Sequence, residues 1–316
     1  MKIAFLYPNS PISPHKVHLA WALSIGAKPI KTPKGIGKFD VEKLKNFDIL
    51  FLESLYCLPF ASKAKKKNSD LKIVSLIADT SFYPEKLSLA RRLYFKFSRL
   101  DLVDAYITIS ERIRKYIISY TGNRKVVVVR PFSELKFSKK EFNEKMKRGF
   151  EKKAGLIGNK YKVEGMRIVE KMSKDMKDWD FYLAGSGSNF FKNTKNLFVL
   201  GWVRNQKDFF KKISFYLHPI KIEPFSVSSL EAMRIGSFPL IYKEAGILEI
   251  VPKKVKQFIE VKKLNEREFE KKLKERFKDE RKSKKILKEL YKLSLKFRKE
   301  ESVKEFKRKF WKLANS

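Results

Sequence analysis

Short, mostly apolar runs alternate with amphipathic stretches along the first 132 residues. The apolar runs predict β-strands, and they read KIAFLY (2–7), AKPIK (27–31), FDILFLE (47–53), KIVSLIA (72–78), YITIS (106–110) and KVVVVRPF (125–132). The spacing of apolar residues between them predicts helices over 15–25, 85–103 and 111–120. Near-continuous apolar strands that alternate with helices are typical of a parallel sheet covered on both faces.

The same alternation restarts near residue 151. The predicted strands are AGLIGN (154–159), DFYLAGSG (180–187), NLFVLGWV (196–203), SFYLHPI (214–220), FPLIY (238–242) and FIEV (258–261), and the predicted helices are 163–177, 205–212 and 228–235. This second series predicts a second sheet of the same kind. The fold class is therefore α/β, with two Rossmann-like, doubly wound domains and an interdomain cleft.

Two further segments complete the predicted domain plan. Residues 133–150 are polar and basic and predict a connection between an N-terminal Rossmann-like domain (1–132) and a second Rossmann-like domain (151–262). Residues 263–316 consist mostly of charged helix formers and predict C-terminal helices. Aromatic residues in EFKRKFWKLA (305–314) make the last helix a candidate to pack back on the first domain.

The stretch IEPFSVSSLEAMRIGSFPLIY (222–242) carries the candidate chemistry. A strand ends near Ile220 and a helix is expected to start near Ser228, so free backbone N–H groups between them offer an anion site. The carboxylates of Glu223 and Glu231 flank this site and are able to accept hydrogen bonds from sugar hydroxyls. The alternative is structural, because Ser228 and Glu231 also fit a capping box and Glu223 suits a polar loop.

The segment EPFSVSSLEAMRIGSFPLI resembles the signature of family-four retaining glycosyltransferases (glycosyl transferases group 1), which have the GT-B fold. The shared features are a glutamate, seven residues, a second glutamate, Ala-Met, a glycine, and a proline in an apolar strand. The flanks FYLAGSGS, NLFVLGWV, EAGILEIV (244–251) and DAYITISERIRKYI (104–117) are similar to the family as well. The resemblance is strongest over 180–252 and loosest over 1–60.

The resemblance implies a metal-independent hexosyltransferase that uses a nucleoside-diphosphate sugar as co-substrate and no other cofactor. Glu223 would contact the donor sugar at the reacting centre, and Glu231 would bind the ribose. The other donor-binding residues that it implies are Phe225, Ser226, Val227 and Gly185. Two rival functions remain open. One is another GT-B activity such as a nucleotide-sugar epimerase, and the other is a non-catalytic, basic GT-B-fold protein that binds a membrane or a polyanion.

Residues 158–165 depart from the family pattern. Asn159 stands where the family has an arginine that grips the diphosphate, and Glu164 stands where it has a lysine. Lys160 and Lys162 lie nearby and either replace that charge or are solvated loop lysines. Ser226 replaces a glycine that is common after the phenylalanine.

Several other polar residues lie near predicted strand ends. Asp79 follows a strand and is a candidate catalytic residue, because ligands bind at the carboxyl ends of such strands, or a turn residue. His15, His18 and His218 are interpreted as structural because no metal-like cluster accompanies them. The single cysteine, Cys57, excludes an intramolecular disulfide and is typical of a cytoplasmic protein.

The net charge is +37, from 72 Lys and Arg against 35 Asp and Glu, and it bears on which anionic partners the protein attracts. It reflects either a compositional bias toward lysine or attraction to an anionic membrane surface, and nucleic acid is the least favoured partner. No apolar run is long enough to cross a bilayer. Segment 85–103 has leucines and Phe97 at helical spacing among arginines and lysines, so it is either a packed helix or a peripheral membrane contact.

Overall fold

The computed structural model describes residues 1–11, 13–34, 37–159 and 162–315. The chain forms two compact units. One consists of Met1–Phe132 and Lys299–Ser316, and the other of Ser133–Arg298.

The first unit is built on a parallel, six-stranded sheet whose strand order is β2-β1-β3-β4-β5-β6. Its strands are β1 (Ile3–Pro8), β2 (Lys28–Thr32), β3 (Ile49–Leu52), β4 (Lys72–Ile77), β5 (Ala105–Thr108) and β6 (Val126–Val128). Its helices are α1 (Lys16–Ser24), α2 (Leu58–Lys67), α3 (Leu89–Phe97), α4 (Glu111–Thr121) and α12 (Lys299–Ala314). The inner strands are buried except at Tyr7 of β1 and Lys72 of β4, which explains their nearly continuous apolar runs.

The C-terminal helix α12 belongs to this first unit and supplies aromatic residues to its core. Phe306 stacks on Trp21 of α1 with the ring centroids 5.3 Å apart and the planes 4° apart. The Trp21 Nε1–H donates a hydrogen bond to Ser302 Oγ at 3.1 Å, so the buried indole keeps its polar partner. The aromatic stretch at the end of the chain is therefore part of a core.

The sequence predicted a single helix over 85–103, and the predicted length is wrong. Helix α3 begins after Ser88, whose Oγ accepts the N–H of Arg91 at 3.3 Å, and it ends at Phe97. Arg99 follows with a left-handed φ of 60°, which no continuing α-helix allows. The predicted segment is thus a nine-residue helix between two short 3-10 turns.

The second unit contains the other parallel, six-stranded sheet, in the order β12-β11-β10-β7-β8-β9. Its strands are β7 (Lys153–Ile157), β8 (Asp180–Ala184), β9 (Leu197–Gly201), β10 (Phe215–His218), β11 (Phe238–Tyr242) and β12 (Glu260–Val261). Its helices are α5 (Lys139–Arg148), α6 (Val163–Asp175), α7 (Gln206–Lys212), α8 (Val227–Ile235), α9 (Lys253–Ile259), α10 (Glu266–Lys278) and α11 (Glu280–Ser294). The two parallel sheets predicted from the sequence are both present.

The stretch 133–150, predicted as a connection, contains helix α5 and belongs to the second unit. A capping box starts this helix, since Ser138 Oγ accepts the N–H of Glu141 and the Glu141 carboxylate accepts the N–H of Ser138. Lys145 of α5 is half-buried and donates to the carbonyls of Phe210 and Ile213 at 2.5 and 2.7 Å. The helix is therefore fixed to the C-terminal end of α7.

Candidate active site

The second sheet has a point at which its strand order reverses, between β7 and β10. These two strands are adjacent and parallel, with Phe215 paired to Ala154 and Tyr216 to Gly155. From this pair the chain winds outward in both directions, so the loops beyond the two carboxyl ends diverge and leave a crevice. Loops 158–162 and 219–226 begin at that crevice. Ligands of doubly wound sheets bind at such a place.

Two glycines allow close packing around this crevice. A Cβ on Gly165, in the first turn of α6, would meet Pro219 O at 2.6 Å and Ile220 Cδ1 at 2.5 Å. A Cβ on Gly158 would meet Lys162 Cδ at 2.5 Å, so the Lys162 stem folds back across Gly158. Close backbone approach, which only glycine allows, therefore carries the Lys162 side chain inward.

Lys162 meets Glu223 in this crevice. The Lys162 Nζ lies 3.0 Å from Glu223 Oε2, and both side chains are buried, with exposed fractions of 8% and 10%. An ion pair that is so far withdrawn from water interacts much more strongly than a surface pair. The sequence placed Lys162 among candidate phosphate ligands or solvated lysines, and its burial excludes the solvated role.

His218, at the end of β10, is the third member of this group. Its Nε2 lies 3.6 Å from Glu223 Oε2, and the ring is fully buried. Burial, with a smaller contribution from the Lys162 charge, holds the pKa of His218 well below its usual value. The imidazole is therefore neutral at physiological pH. The sequence indicated a structural role for His218, although its position at the end of a strand was a signal for the site.

Helix α8 begins at Val227 and not at Ser228, because Ser226 is its N-cap. The Ser226 Oγ accepts the N–H of Ser229 at 3.3 Å, and its φ of 68° is left-handed. This backbone conformation explains why glycine is common at this position in the family that the sequence resembles. In the described part of the chain, the N–H groups of Val227 and Ser228 have no hydrogen-bond partner, and both residues are partly exposed.

The capping-box interpretation of Ser228 and Glu231 is wrong. The hydroxyl of Tyr216 donates to Ser228 Oγ at 2.7 Å, and Ser133 Oγ donates to Glu231 Oε1 at 3.0 Å. Glu231 is 8% exposed, and its burial raises the pKa of the carboxyl from 4.5 to about 7. The Ser133 hydrogen bond and the charges of Arg234 and Lys162 act in the opposite direction but do not cancel the burial.

Glu231→Gln is expected to stabilise the protein at pH 8 by about 3 kcal/mol and to leave it unchanged near pH 4.5. Below the unfolded value of 4.5 both states hold the proton. As the pH rises toward about 7, the unfolded state has lost it and the folded state retains it, so the free energy of unfolding falls. The glutamine amide does not titrate, so the variant does not lose stability in this way. Urea unfolding at several pH values measures the difference between variant and wild type.

Glu164→Gln is the matched control, because the Glu164 side chain is 90% exposed. Its free energy of unfolding should follow the wild-type pH profile. If the free energies of unfolding of Glu231→Gln and the wild type changed with pH in the same way, Glu231 would be ionised in the folded protein at neutral pH.

The remaining donor-binding candidates fall around this group. Asn159 is exposed, and its carbonyl accepts the N–H of Lys162 at 2.9 Å. A Cβ on Gly185 would meet Gly158 O at 2.4 Å, so this glycine lets the turn after β8 press against loop 158–162. Phe225 is 1% exposed and packs near Phe297 with centroids 6.2 Å apart. Lys160 lies outside the described residues.

Asp79 lies in the first unit, two residues beyond β4. It is exposed, and its Oδ1 accepts the N–H of Ser81 at 2.8 Å, which is the turn role that the sequence left open. A catalytic role for Asp79 remains a prediction.

The first unit also contains a buried carboxylate that was not predicted from the sequence, that of Glu53. It follows β3 directly, and its Oε1 accepts the N–H of His15 at 2.6 Å and lies 3.0 Å from His18 Nδ1. Its position at the end of the strand FDILFLE was the available signal. Among the residues that the structure describes, no group of three or more His, Cys, Asp or Glu is placed to hold a metal ion.

Comparison with known proteins places these observations in a family context. Residues 174–293 match the family model of glycosyl transferases group 1. The matched region contains Glu223 and Glu231 and begins after loop 158–162. No curated protein matches the chain at a significant level.

Several solved structures share the architecture of the whole chain. Anabaena HepE, solved in complex with UDP-glucose, is 14% identical with a TM-score of 0.79, covering 99% of this chain and 100% of its own. A glycosyltransferase from Rickettsia africae is 10% identical with a TM-score of 0.73 over 99% and 98% of the two chains. Sucrose-phosphate synthase from Thermosynechococcus elongatus is 12% identical with a TM-score of 0.73 over 99% and 89%. These likenesses confirm the predicted GT-B fold.

Proposed function

We propose that the protein is a retaining glycosyltransferase that moves a hexosyl group from a nucleoside-diphosphate sugar to an acceptor hydroxyl. The observation that carries the proposal is the buried Lys162–Glu223 pair at the strand-order reversal, next to the uncapped N–H groups of α8. The family match over 174–293 supports it, because the match includes both glutamates of the motif.

The first turn of α8 and Lys162 form the proposed diphosphate site. The N–H groups of Val227 and Ser228 point out of a nine-residue helix, where the helix dipole favours negative charge. The acceptor oxygen bonds to the sugar C1 as the bond between C1 and the diphosphate oxygen breaks. The electron pair leaves with the phosphate, whose departing oxygen takes the proton of the acceptor hydroxyl. Lys162 then stabilises the charge that develops. These groups replace the arginine and lysine that the family pattern has at 159 and 164.

Glu223 and Glu231 form the proposed sugar and ribose contacts. Glu223 sits next to the diphosphate site, so its carboxylate would lie against the transferred sugar and stabilise positive charge on the sugar ring. Glu231 is five positions into α8 and buried, with a pKa of about 7. Ribose hydroxyls that donate to its carboxylate favour the ionised form, so donor binding is coupled to proton release.

We further propose that transfer needs no metal ion and no cofactor other than the nucleotide sugar. The positive charge that a metal would bring to the diphosphate comes in this proposal from Lys162 and the start of α8. HepE has been solved in complex with UDP and glucose and in complex with UDP-glucose, which makes UDP-glucose the first donor to test.

Calorimetric titration of the full chain with UDP-glucose, UDP, ADP and GDP tests the proposal. We expect one nucleotide to bind and to release protons near pH 7, which is measured by repeating the titration in buffers of different ionisation enthalpy. The Glu231→Gln variant should bind more weakly and release no proton. Glu164→Gln should bind as the wild type does.

Sugar transfer is measured separately, as release of the nucleoside diphosphate in the presence of added sugar and lipid-linked acceptors. Failure of every nucleotide to bind would overturn the proposal. Binding without proton release would overturn the role of Glu231 alone.

A further inference from the structure

Helix α3 exposes an apolar ridge to solvent. The ridge consists of Leu89, Leu93 and Phe97, which are 74%, 44% and 79% exposed. They are spaced by four residues and therefore lie on one side of the helix. The opposite side carries Phe95, which is 3% exposed and stacks on Phe82 with centroids 5.2 Å apart. Three adjacent exposed apolar side chains on one short helix are unusual for a surface that contacts only water.

A basic pocket adjoins the ridge. Its volume is about 570 Å³, and Phe97 of the ridge is part of its wall. The cations in this wall are Lys66, Arg92, Lys96 and Arg99. The single carboxylate in the wall, Asp101, is paired with Arg99 at 2.8 Å. Within the described residues, no carboxylate lies within ion-pair distance of Lys66, Arg92 or Lys96, so the pocket keeps a net positive charge.

The end of α2 extends this positive surface. Ser62 Oγ of α2 donates to Ser98 O, just beyond α3, at 2.7 Å, which holds the two helices together at this point. The exposed Lys63 and Lys66 follow on α2, and Lys66 is part of the pocket wall. Cations therefore border the apolar ridge on one side.

The combination of an apolar ridge and unpaired cations favours one partner, an anionic bilayer. A second copy of the chain fits poorly, because both copies carry a net charge of +37 and repel each other. A nucleic acid would use the cations but gains nothing from exposed leucines. A bilayer surface offers acyl chains for the ridge and phosphates for the pocket. None of the described helices has the length and apolar character that crossing a bilayer requires.

We propose that α3 attaches the protein to the surface of an anionic lipid bilayer. The apolar ridge enters the boundary between headgroups and acyl chains. The basic pocket holds the phosphate of an anionic lipid. Because attachment does not depend on sugar transfer, it is tested without any nucleotide sugar.

Co-sedimentation of the full chain with vesicles tests this attachment. One set of vesicles is phosphatidylcholine alone, and the other also contains phosphatidylglycerol. We expect retention on the second set only, weakened by added salt. The Leu93→Ser/Phe97→Ser variant should partition about tenfold or more weakly, because it loses most of the apolar contact. The Arg92→Gln/Lys96→Gln variant should partition roughly thirtyfold more weakly.

Matched variants separate the ridge and pocket from charge and hydrophobicity in general. Leu23→Ser changes another exposed apolar residue, 55% exposed on α1, and should be retained as the wild type is. Lys271→Gln/Lys274→Gln removes the same charge from exposed positions of α10 and should change retention little. All substituted side chains are exposed, so the variants should keep the wild-type melting temperature.

Two results would overturn the proposal. The first is no retention of the wild type on vesicles that contain phosphatidylglycerol. The second is equal retention of Leu93→Ser/Phe97→Ser and the wild type, which would mean that charge alone holds the protein and that the ridge does not enter the bilayer.

Discussion

Glu223→Gln is expected to lower kcat for sugar transfer by roughly 10²- to 10³-fold and to leave nucleoside-diphosphate binding unchanged or tighter. Positive charge develops on the sugar ring in the transition state, and the amide no longer stabilises it. The amide also leaves Lys162, 3.0 Å away, more available to the diphosphate. A fall in kcat without a rise in the dissociation constant is the result that a role limited to the transition state requires.

Initial rates at saturating donor, together with calorimetric binding of the nucleoside diphosphate, measure these two effects separately. Glu164→Gln is the control, because this glutamate is exposed and two residues from Lys162. An unchanged kcat in Glu223→Gln would show that the carboxylate does not act on the sugar. If Glu223→Gln proves poorly folded, Glu223→Asp is the second variant. Its shorter side chain keeps the charge but holds it farther from the sugar, so a large loss of kcat is again expected.

The alternation of apolar runs and helices was enough to predict both sheets. A fully buried parallel strand must be apolar on both faces. A run such as KIVSLIA can therefore be recognised as a strand without knowing which strands lie beside it. The helix α5 was overlooked, although Ser138 and Glu141 had the spacing of a capping box, because the segment is too polar to show a clear apolar face. Its attachment through the half-buried Lys145 depends on carbonyls about 65 residues away.

The site was predicted only in part, because its contacts are tertiary. The spacing of Glu223 and Glu231 is local and could be recognised. The pairing of Lys162 with Glu223 depends on two glycines whose close contacts exist only in the folded chain. Glu231 meets Ser133 across 98 residues, and no local pattern predicts that hydrogen bond.

The apolar spacing of α3 illustrates a different limit. Periodicity showed that Leu89, Leu93 and Phe97 share one side of a helix, but it cannot tell whether that side faces a core or solvent. The packed-helix interpretation assumed a core. In the structure, Phe95 occupies the core side and the ridge is exposed. The leucines face solvent because Tyr94 and Phe95 form a second apolar side of the helix, and this second side packs on the core. The regular spacing of the leucines drew attention away from it.

Lys162→Met is expected to destabilise the protein by about 3 to 5 kcal/mol, because it leaves the Glu223 carboxylate buried beside an uncharged side chain. It should also weaken nucleoside-diphosphate binding by roughly 10- to 150-fold, the value of a charged hydrogen bond to phosphate. Urea unfolding measures the first effect and calorimetry the second. Lys174→Met is the matched control, since this lysine is 65% exposed on α6.

The double variant Lys162→Met/Glu223→Gln distinguishes the pair from its two members. With both charges gone, no buried charge lacks a partner, so most of the lost stability should return. Binding of the nucleoside diphosphate should not return, because the lysine that would meet the phosphates is still absent. Recovery of binding along with stability would mean that Lys162 only supports the fold. Exposed ion pairs contribute less than about 1 kcal/mol to the free energy of unfolding. If Lys162→Met alone lowers that free energy by no more than this, the Lys162–Glu223 pair lies in water and the proposed site lacks its buried cation.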